Sequence, residues 1–95
     1  MVKVVAEFFI KEDALEEAHN FLTELVAETR KEKGCITYDV FADNSNKTHL
    51  VLIEEWESQE ILDIHSASTH FMTLVPKIVD LSAKPPVITG LSRLI

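Results

Sequence analysis

The stretch from Cys35 to Glu57, CITYDVFADNSNKTHLVLIEEWE, decides the fold. Cys35 to Ala42 carries Ile, Tyr, Val and Phe and reads as a strand. Asp43-Asn44-Ser45-Asn46 is a turn, because short polar side chains bond to nearby backbone and tolerate left-handed conformations. Lys47 to Glu57, with Leu50-Val51-Leu52-Ile53 at its centre, is a second strand. Two strands joined by so short a turn form a hairpin.

Upstream of the hairpin, Val2 to Ile10 is rich in Val, Phe and Ile and predicts another strand. Lys11-Glu12-Asp13 then changes the period, and Asp13 with Glu16 three residues on has the form of a capping box. Ala14, Leu15, Ala18, Phe21, Leu22, Leu25 and Val26 follow at helical spacing. Arg30, Lys31 and Lys33 are read into the last turn, and Gly34 as the C-terminal cap. Downstream, Ser58 caps a short helix over Gln59 to His65. A second start signal lies in Ser66 to Thr69, with a helix from about Ser68 to Leu81 that Pro76 should kink or split. Lys84-Pro85-Pro86 ends it, and Val87 to Leu94 is the last strand. The order β-α-β-β-α-β is ferredoxin-like. It predicts an α+β fold: a four-stranded antiparallel sheet with helices on one face, as a single domain over residues 1–95.

The strands do not alternate cleanly. Val4, Val5, Ala6, Phe8, Phe9 and Ile10 occupy both faces of the first, and Leu50 to Ile53 both faces of the third. Helices on one side bury only one face. The other face calls for a second copy, since two-fold dimers are the commonest oligomers. A homodimer is therefore expected.

Charge narrows the partners. Nine Lys and Arg against sixteen Asp and Glu give a net charge of −7. Nucleic acid and anionic membrane surfaces both require a basic face. The single cysteine, Cys35, supplies neither an internal disulfide nor a Cys-based zinc site. The opening residues lack the features of a signal peptide, so a cytoplasmic protein is expected. With only Gly34 and Gly90, no phosphate loop or dinucleotide fingerprint can form.

Several residues carry the chemistry. His65 and His70, five apart, point about 140° away from each other on a continuous helix. They share a site only if the helix breaks between them, as Ser66 to Thr69 suggests. A histidine titrates near pH 6.5, which suits a general base or a donor to a bound phenol or carbonyl. Trp56, at a strand end, is a candidate aromatic wall for a flat ligand. Phe71 and Met72 are at core-like spacing and are further candidates for substrate contact. Glu7 and Glu54 sit in apolar strands, where a carboxylate needs a partner. Lys3, Lys47 and Arg93 are the cations considered, in a dimer salt bridge. Metal binding by the histidines would need Glu54, Glu55 or His49 as third ligand, and no spacing such as H-E-x-x-H is present.

Val5-Ala6-Glu7, Glu32-Lys33-Gly34-Cys35 with Tyr38, Ile53-Glu54-Glu55-Trp56-Glu57-Ser58, His65, and Ser68-Thr69-His70-Phe71 together resemble the antibiotic biosynthesis monooxygenase family. The resemblance runs from Val2 to about Leu94. It implies a dimeric α+β barrel with a pocket between sheet and helices in each subunit. It also implies oxygenase chemistry without a cofactor, on a small aromatic such as a quinol or polyhydroxylated phenol. The family's haem-degrading branch uses an Asn, a Trp and a His. Here the first strand has no Asn, and Ile64 or His65 stands where the Trp would be, so no haem is expected. The resemblance thus leads to His65 and His70 as catalytic residues, to Trp56, Phe71 and Met72 as substrate-binding residues, and to no cofactor or metal. Two alternatives stand beside it: an isomerase or lyase of a small carbonyl or sugar-like compound, and a non-catalytic dimer that binds a small molecule.

Overall fold

A computed structural model describes all 95 residues. The strands are β1 (Val2–Ile10), β2 (Cys35–Asp43), β3 (Asn46–Trp56) and β4 (Ser82–Leu91), and the helices are α1 (Leu15–Thr29), α2 (Gln59–Ser66) and α3 (Thr69–Asp80). The sheet is antiparallel in the order β2-β3-β1-β4, the ferredoxin-like α+β arrangement read from the sequence.

Alternation along the strands sorts the sheet into two faces. Val4, Ala6, Phe8 and Ile10 of β1 are buried, as are Leu52, Glu54 and Trp56 of β3 and Tyr38 of β2. They meet Ala18, Leu22 and Leu25 of α1 and Leu74 and Ile78 of α3 in one core. The intervening residues, among them Val5, Phe9, Val51 and Ile53, are only half-buried, and Phe41 and Val87 on the same open face are exposed.

Several boundaries differ from the sequence reading, each for a local reason. Asp13 does not cap α1. Glu12–Ala14 form a 3-10 turn, Ala14 is the cap residue, and no side chain bonds to the helix start. Arg30, Lys31 and Lys33 lie just beyond α1, which ends at Thr29. Gly34 does take a positive φ of 86°, but in the turn into β2 rather than as the helix cap. Its lack of a side chain is required there, since a Cβ would lie 2.7 Å from Ile61 of α2. Ser58 caps α2 as read, and Ser68, within the start signal read for the next helix, caps α3; they accept from the backbone N–H of Ile61 and Phe71.

Pro76 neither splits nor ends α3, which runs unbroken from Thr69 to Asp80. The carbonyl deprived of its donor belongs to Met72, an exposed residue where water can serve instead. Likewise Pro85 and Pro86 fall inside β4 rather than before it. The strand is at the sheet edge, and its register against β1 shifts between Glu7 and Phe9, with Val87 and Lys84 opposite them. Prolines are tolerated at an irregular edge because no ladder donor is needed there.

Candidate active site: a cavity backed by two histidines and a carboxylate

Pairing register builds the floor of a cavity. Tyr38, Glu54, Val4 and Gly90 stand side by side across the four strands, and Val40, Leu52, Ala6 and Ile88 form the next inward row. Gly90 has no neighbour where a side chain would project, so the row leaves open space at the β4 end. His65, Phe71 and Val75 close the cavity from the helical side. It holds about 320 Å³, and eleven of its seventeen lining residues are hydrophobic. No Lys or Arg is among them.

Two short helices with a serine-capped break between them position the histidines. His65 lies in the last turn of α2 with 2% of its surface exposed. His70 opens α3, and the Ser66–Thr69 break turns its ring toward that of His65, with ring centroids 6.0 Å apart. Both rings meet Glu32, in the turn after α1. Glu32 Oε2 lies 2.6 Å from His65 Nδ1 and 2.9 Å from His70 Nε2. A carboxylate oxygen accepts, so both ring nitrogens donate to it. Ser68 fixes the break: its hydroxyl donates to the His65 carbonyl at 2.6 Å and lies 3.2 Å from His70 Nε2.

With Nδ1 committed to Glu32, the neutral His65 ring presents Nε2 as an acceptor, and Nε2 has no hydrogen-bond partner in the protein. Burial, which favours the neutral ring, pushes the His65 pKa down from 6.5 against the opposing pull of Glu32. Beside it in the floor, Glu54 is 5% exposed and accepts a 3.0 Å bond from Trp56 Nε1. Burial lifts the Glu54 carboxyl to about 7, opposed by the Trp56 bond and reinforced by the charge of Glu32. Burial likewise raises the Tyr38 hydroxyl well above its ordinary range, so it is a neutral phenol. The site therefore contains an imidazole acceptor and a carboxyl group that gains or loses its proton near neutral pH.

The sequence-derived candidates separate into three groups. His65 and Phe71 line the cavity. Trp56 and His70 do not line it. Trp56 is fully buried behind His65, with ring centroids 4.4 Å apart, and His70 touches His65 from the Glu32 side. Met72 is 65% exposed and has no place at the cavity: it follows Phe71, and one residue along a helix turns the side chain about 100° away. Within the chain, Glu7 and Glu54 do not pair with Lys3, Lys47 or Arg93. Glu7 meets His49, Glu54 meets Trp56, and Lys3 lies 3.7 Å from Glu55. Sequence reasoning missed Glu32 and Tyr38 as parts of the site, and it considered Glu54 as a salt-bridge residue or a third metal ligand rather than as part of the cavity floor. The available signal for Glu54 was its period-two position between Leu52 and Trp56, both inward.

A ferredoxin-like sheet with an apolar cavity under the helices, backed by a carboxylate–histidine cluster, makes this an α+β protein with a candidate small-molecule site. The chain belongs to the antibiotic biosynthesis monooxygenase family, whose model matches residues 1–77. It is similar to a crystal structure of an antibiotic biosynthesis monooxygenase, with 38% identity, a TM-score of 0.96 and full coverage of both chains. It is also 31% identical to Rv0793 of Mycobacterium tuberculosis over 93 residues, 98% of this chain and 91% of that protein. The Rv0793 structure superposes with a TM-score of 0.93, over 99% of this chain and 95% of that one. A conserved protein from Methanosarcina mazei is 33% identical, with a TM-score of 0.93, over 95% and 89% of the two chains.

Proposed function

We propose that the protein is a cofactor-independent monooxygenase that oxidises a small aromatic, a quinol or polyhydroxylated phenol, with molecular oxygen. The observation that carries this is the unclaimed Nε2 of His65, held as a proton acceptor at a cavity that is largely apolar. The family match and a relative provisionally named a monooxygenase support the reaction class. A flat ring suits such a lining, whereas a phosphorylated substrate would require the cations it lacks.

The chemistry needs no added reductant. His65 Nε2 takes a phenolic proton, and the electron-rich phenolate reduces oxygen directly. A carbon–oxygen bond forms at a ring C–H carbon, and the peroxide anion takes the proton back from His65, giving a hydroperoxide. Its O–O bond breaks with loss of water and leaves a new carbonyl, so one oxygen atom enters the product and the other leaves as water. The hydrogen-bonding groups of Tyr38 and the protonated Glu54 are available to the developing oxyanion. His70 holds Glu32, which holds His65. Phe71 supplies cavity wall, and Trp56 sets Glu54 and backs His65.

The open face of the sheet, with Val5, Phe9, Val51 and Ile53 half-buried and Phe41 exposed, is the surface on which a second copy would pack. The homodimer belongs to the same proposal. No helix is long and apolar enough to cross a membrane. A lone, half-buried Cys35 supports a reducing, cytoplasmic setting.

An oxygen electrode run against a panel of quinols, with boiled protein as the autoxidation control, tests the activity. Uptake above the control, with no cofactor added, is expected. Uptake equal to the control with tight binding of the same compounds would replace the oxygenase with a binding protein. Consumption of a carbonyl compound without oxygen uptake would replace it with an isomerase.

A further inference from the structure

The cluster behind His65 has a second capacity. Glu32, His65 and His70 each offer a ligand atom within 4.8 Å of the others, and the Glu32 oxygen faces His65 Nδ1 and His70 Nε2. They form a two-histidine, one-carboxylate donor set, a combination suited to zinc and other divalent d-block ions. Tetrahedral zinc with bonds of about 2.0–2.1 Å holds its ligand atoms about 3.3 Å apart. Glu32 Oε2 lies 2.6 and 2.9 Å from the two nitrogens, so modest side-chain shifts would open the set to an ion. The three residues are anchored on separate elements: α2, α3 and the turn after α1. His70 and Glu32 retain 19% and 14% side-chain exposure, which leaves a path from solvent and room for water as a fourth ligand.

The consequence follows from the imidazole itself. In the metal-free cluster the proton sits on Nδ1, and Nε2 is the acceptor. A metal on Nδ1 displaces that proton, and a neutral metal-bound imidazole carries its hydrogen on the other nitrogen. Nε2 then becomes a donor and can no longer accept a proton. Glu32 and His70 do not line the cavity, so the ion would sit behind His65 without filling the substrate space.

We propose that Glu32, His65 and His70 form a zinc-binding site that inhibits the enzyme by reversing the tautomer of His65. The ligand set stands on geometry alone, while the inhibitory outcome rests on the oxygenase reading above.

Zinc chloride is titrated into the intact protein against a chromogenic chelator. One ion per chain is expected. Glu32→Gln and His70→Ala, with folding checked by circular dichroism, should each weaken binding by at least 10–100-fold, the cost of disturbing even an outer-shell partner. His49→Ala removes the other histidine–carboxylate cluster and should bind zinc as the wild type does. Nitrogen-15 spectra of the histidine rings supply a readout independent of turnover. The His65 Nε2 signal should change from the unprotonated to the protonated type on zinc addition. In the oxygen assay, zinc should suppress uptake and a chelator should restore it. Binding that survives both Glu32→Gln and His70→Ala, or an unchanged Nε2 signal at saturation, would overturn the site. Zinc bound as described, with uptake unaffected, would overturn the inhibition. A protein without oxygenase activity would still give the binding and tautomer results, so the failure of the site and the failure of the oxygenase reading are distinguishable.

Discussion

Two histidines in this molecule each meet carboxylates, on opposite faces of one sheet, and they are driven in opposite directions. His65, on α2, faces the sheet from the helical side, 2% exposed, with one ring nitrogen on Glu32 and the other free. His49 lies on the open face, with Nδ1 3.0 Å from Asp43 and Nε2 3.0 Å from Glu7. Its ring stacks on Phe9 at 4.9 Å, and the Lys84 ammonium lies 4.1 Å from the centre of the Phe9 ring. The Asp43 bond, aided by Glu7, raises the His49 pKa above 6.5 against a smaller desolvation penalty. At His65 burial outweighs Glu32 and lowers it. A histidine beside a carboxylate is thus not by itself a cation. The number of carboxylates and the depth of burial decide, and a base needs one nitrogen left over.

The largest expected effect separates the two sites by rate. His65→Ala should lower oxygenase turnover by roughly 10²–10⁴, the usual worth of a general base. His49→Ala should leave it within a few-fold. Equal losses in the oxygen assay would break the distinction between the faces.

Next in size is the support beneath His65. Trp56→Phe keeps most of the buried ring but removes the donor to Glu54, leaving a buried carboxyl without its bond. A loss of about 1–3 kcal/mol in urea unfolding is expected. A loss below 0.5 kcal/mol would mean that Glu54 finds another partner.

Gly34→Ala addresses the turn that carries Glu32. Its φ of 86° and the 2.7 Å approach to Ile61 should make the change destabilising by about 1–3 kcal/mol. In ring-nitrogen spectra the His65 and His70 signals should move while those of His49 stay. Movement confined to His49 would contradict the placement of Glu32.

The smallest effects are in the pH dependence of stability, and their signs differ. His49 is raised in the fold, so its contribution is present below its unfolded pKa of about 6.5 and is lost as pH rises through the folded value. His65 is lowered, so its contribution is present above about 6.5 and is lost as pH falls toward the folded value. Glu54 acts with His49: raised from 4.5 to about 7, it makes the protein less stable as pH climbs through that interval. Urea midpoints against pH should lose their alkaline-side decline in part with His49→Ala. Histidine proton titrations should place His49 above 6.5 and His65 below it, and the reverse order would refute the burial argument.

Local patterns determined much of this protein. The hairpin around Asn44 and Ser45, the apolar stripe of α1, the Ser58 cap of α2 and the start signal of α3 were each legible, because each rests on residues within a few positions of one another. The break that lets His65 and His70 approach was legible for the same reason. Pro76 and Pro85-Pro86 misled, because a missing donor disrupts an element only where the opposing carbonyl or ladder position has no other partner, and that depends on exposure and edge position. Tertiary structure alone brought Glu32 to His65 and His70, 33 and 38 residues away in the chain. It alone set Tyr38, Glu54 and Val4 in one row, since strand register is fixed by pairing across the sheet. The shift of Glu54 to about 7 follows from that row and its burial. The sequence shows which residues can carry protons. Long-range packing decides which of them keep a free nitrogen, lose their water or gain a second carboxylate, because desolvation and charge pairing act through space rather than along the chain.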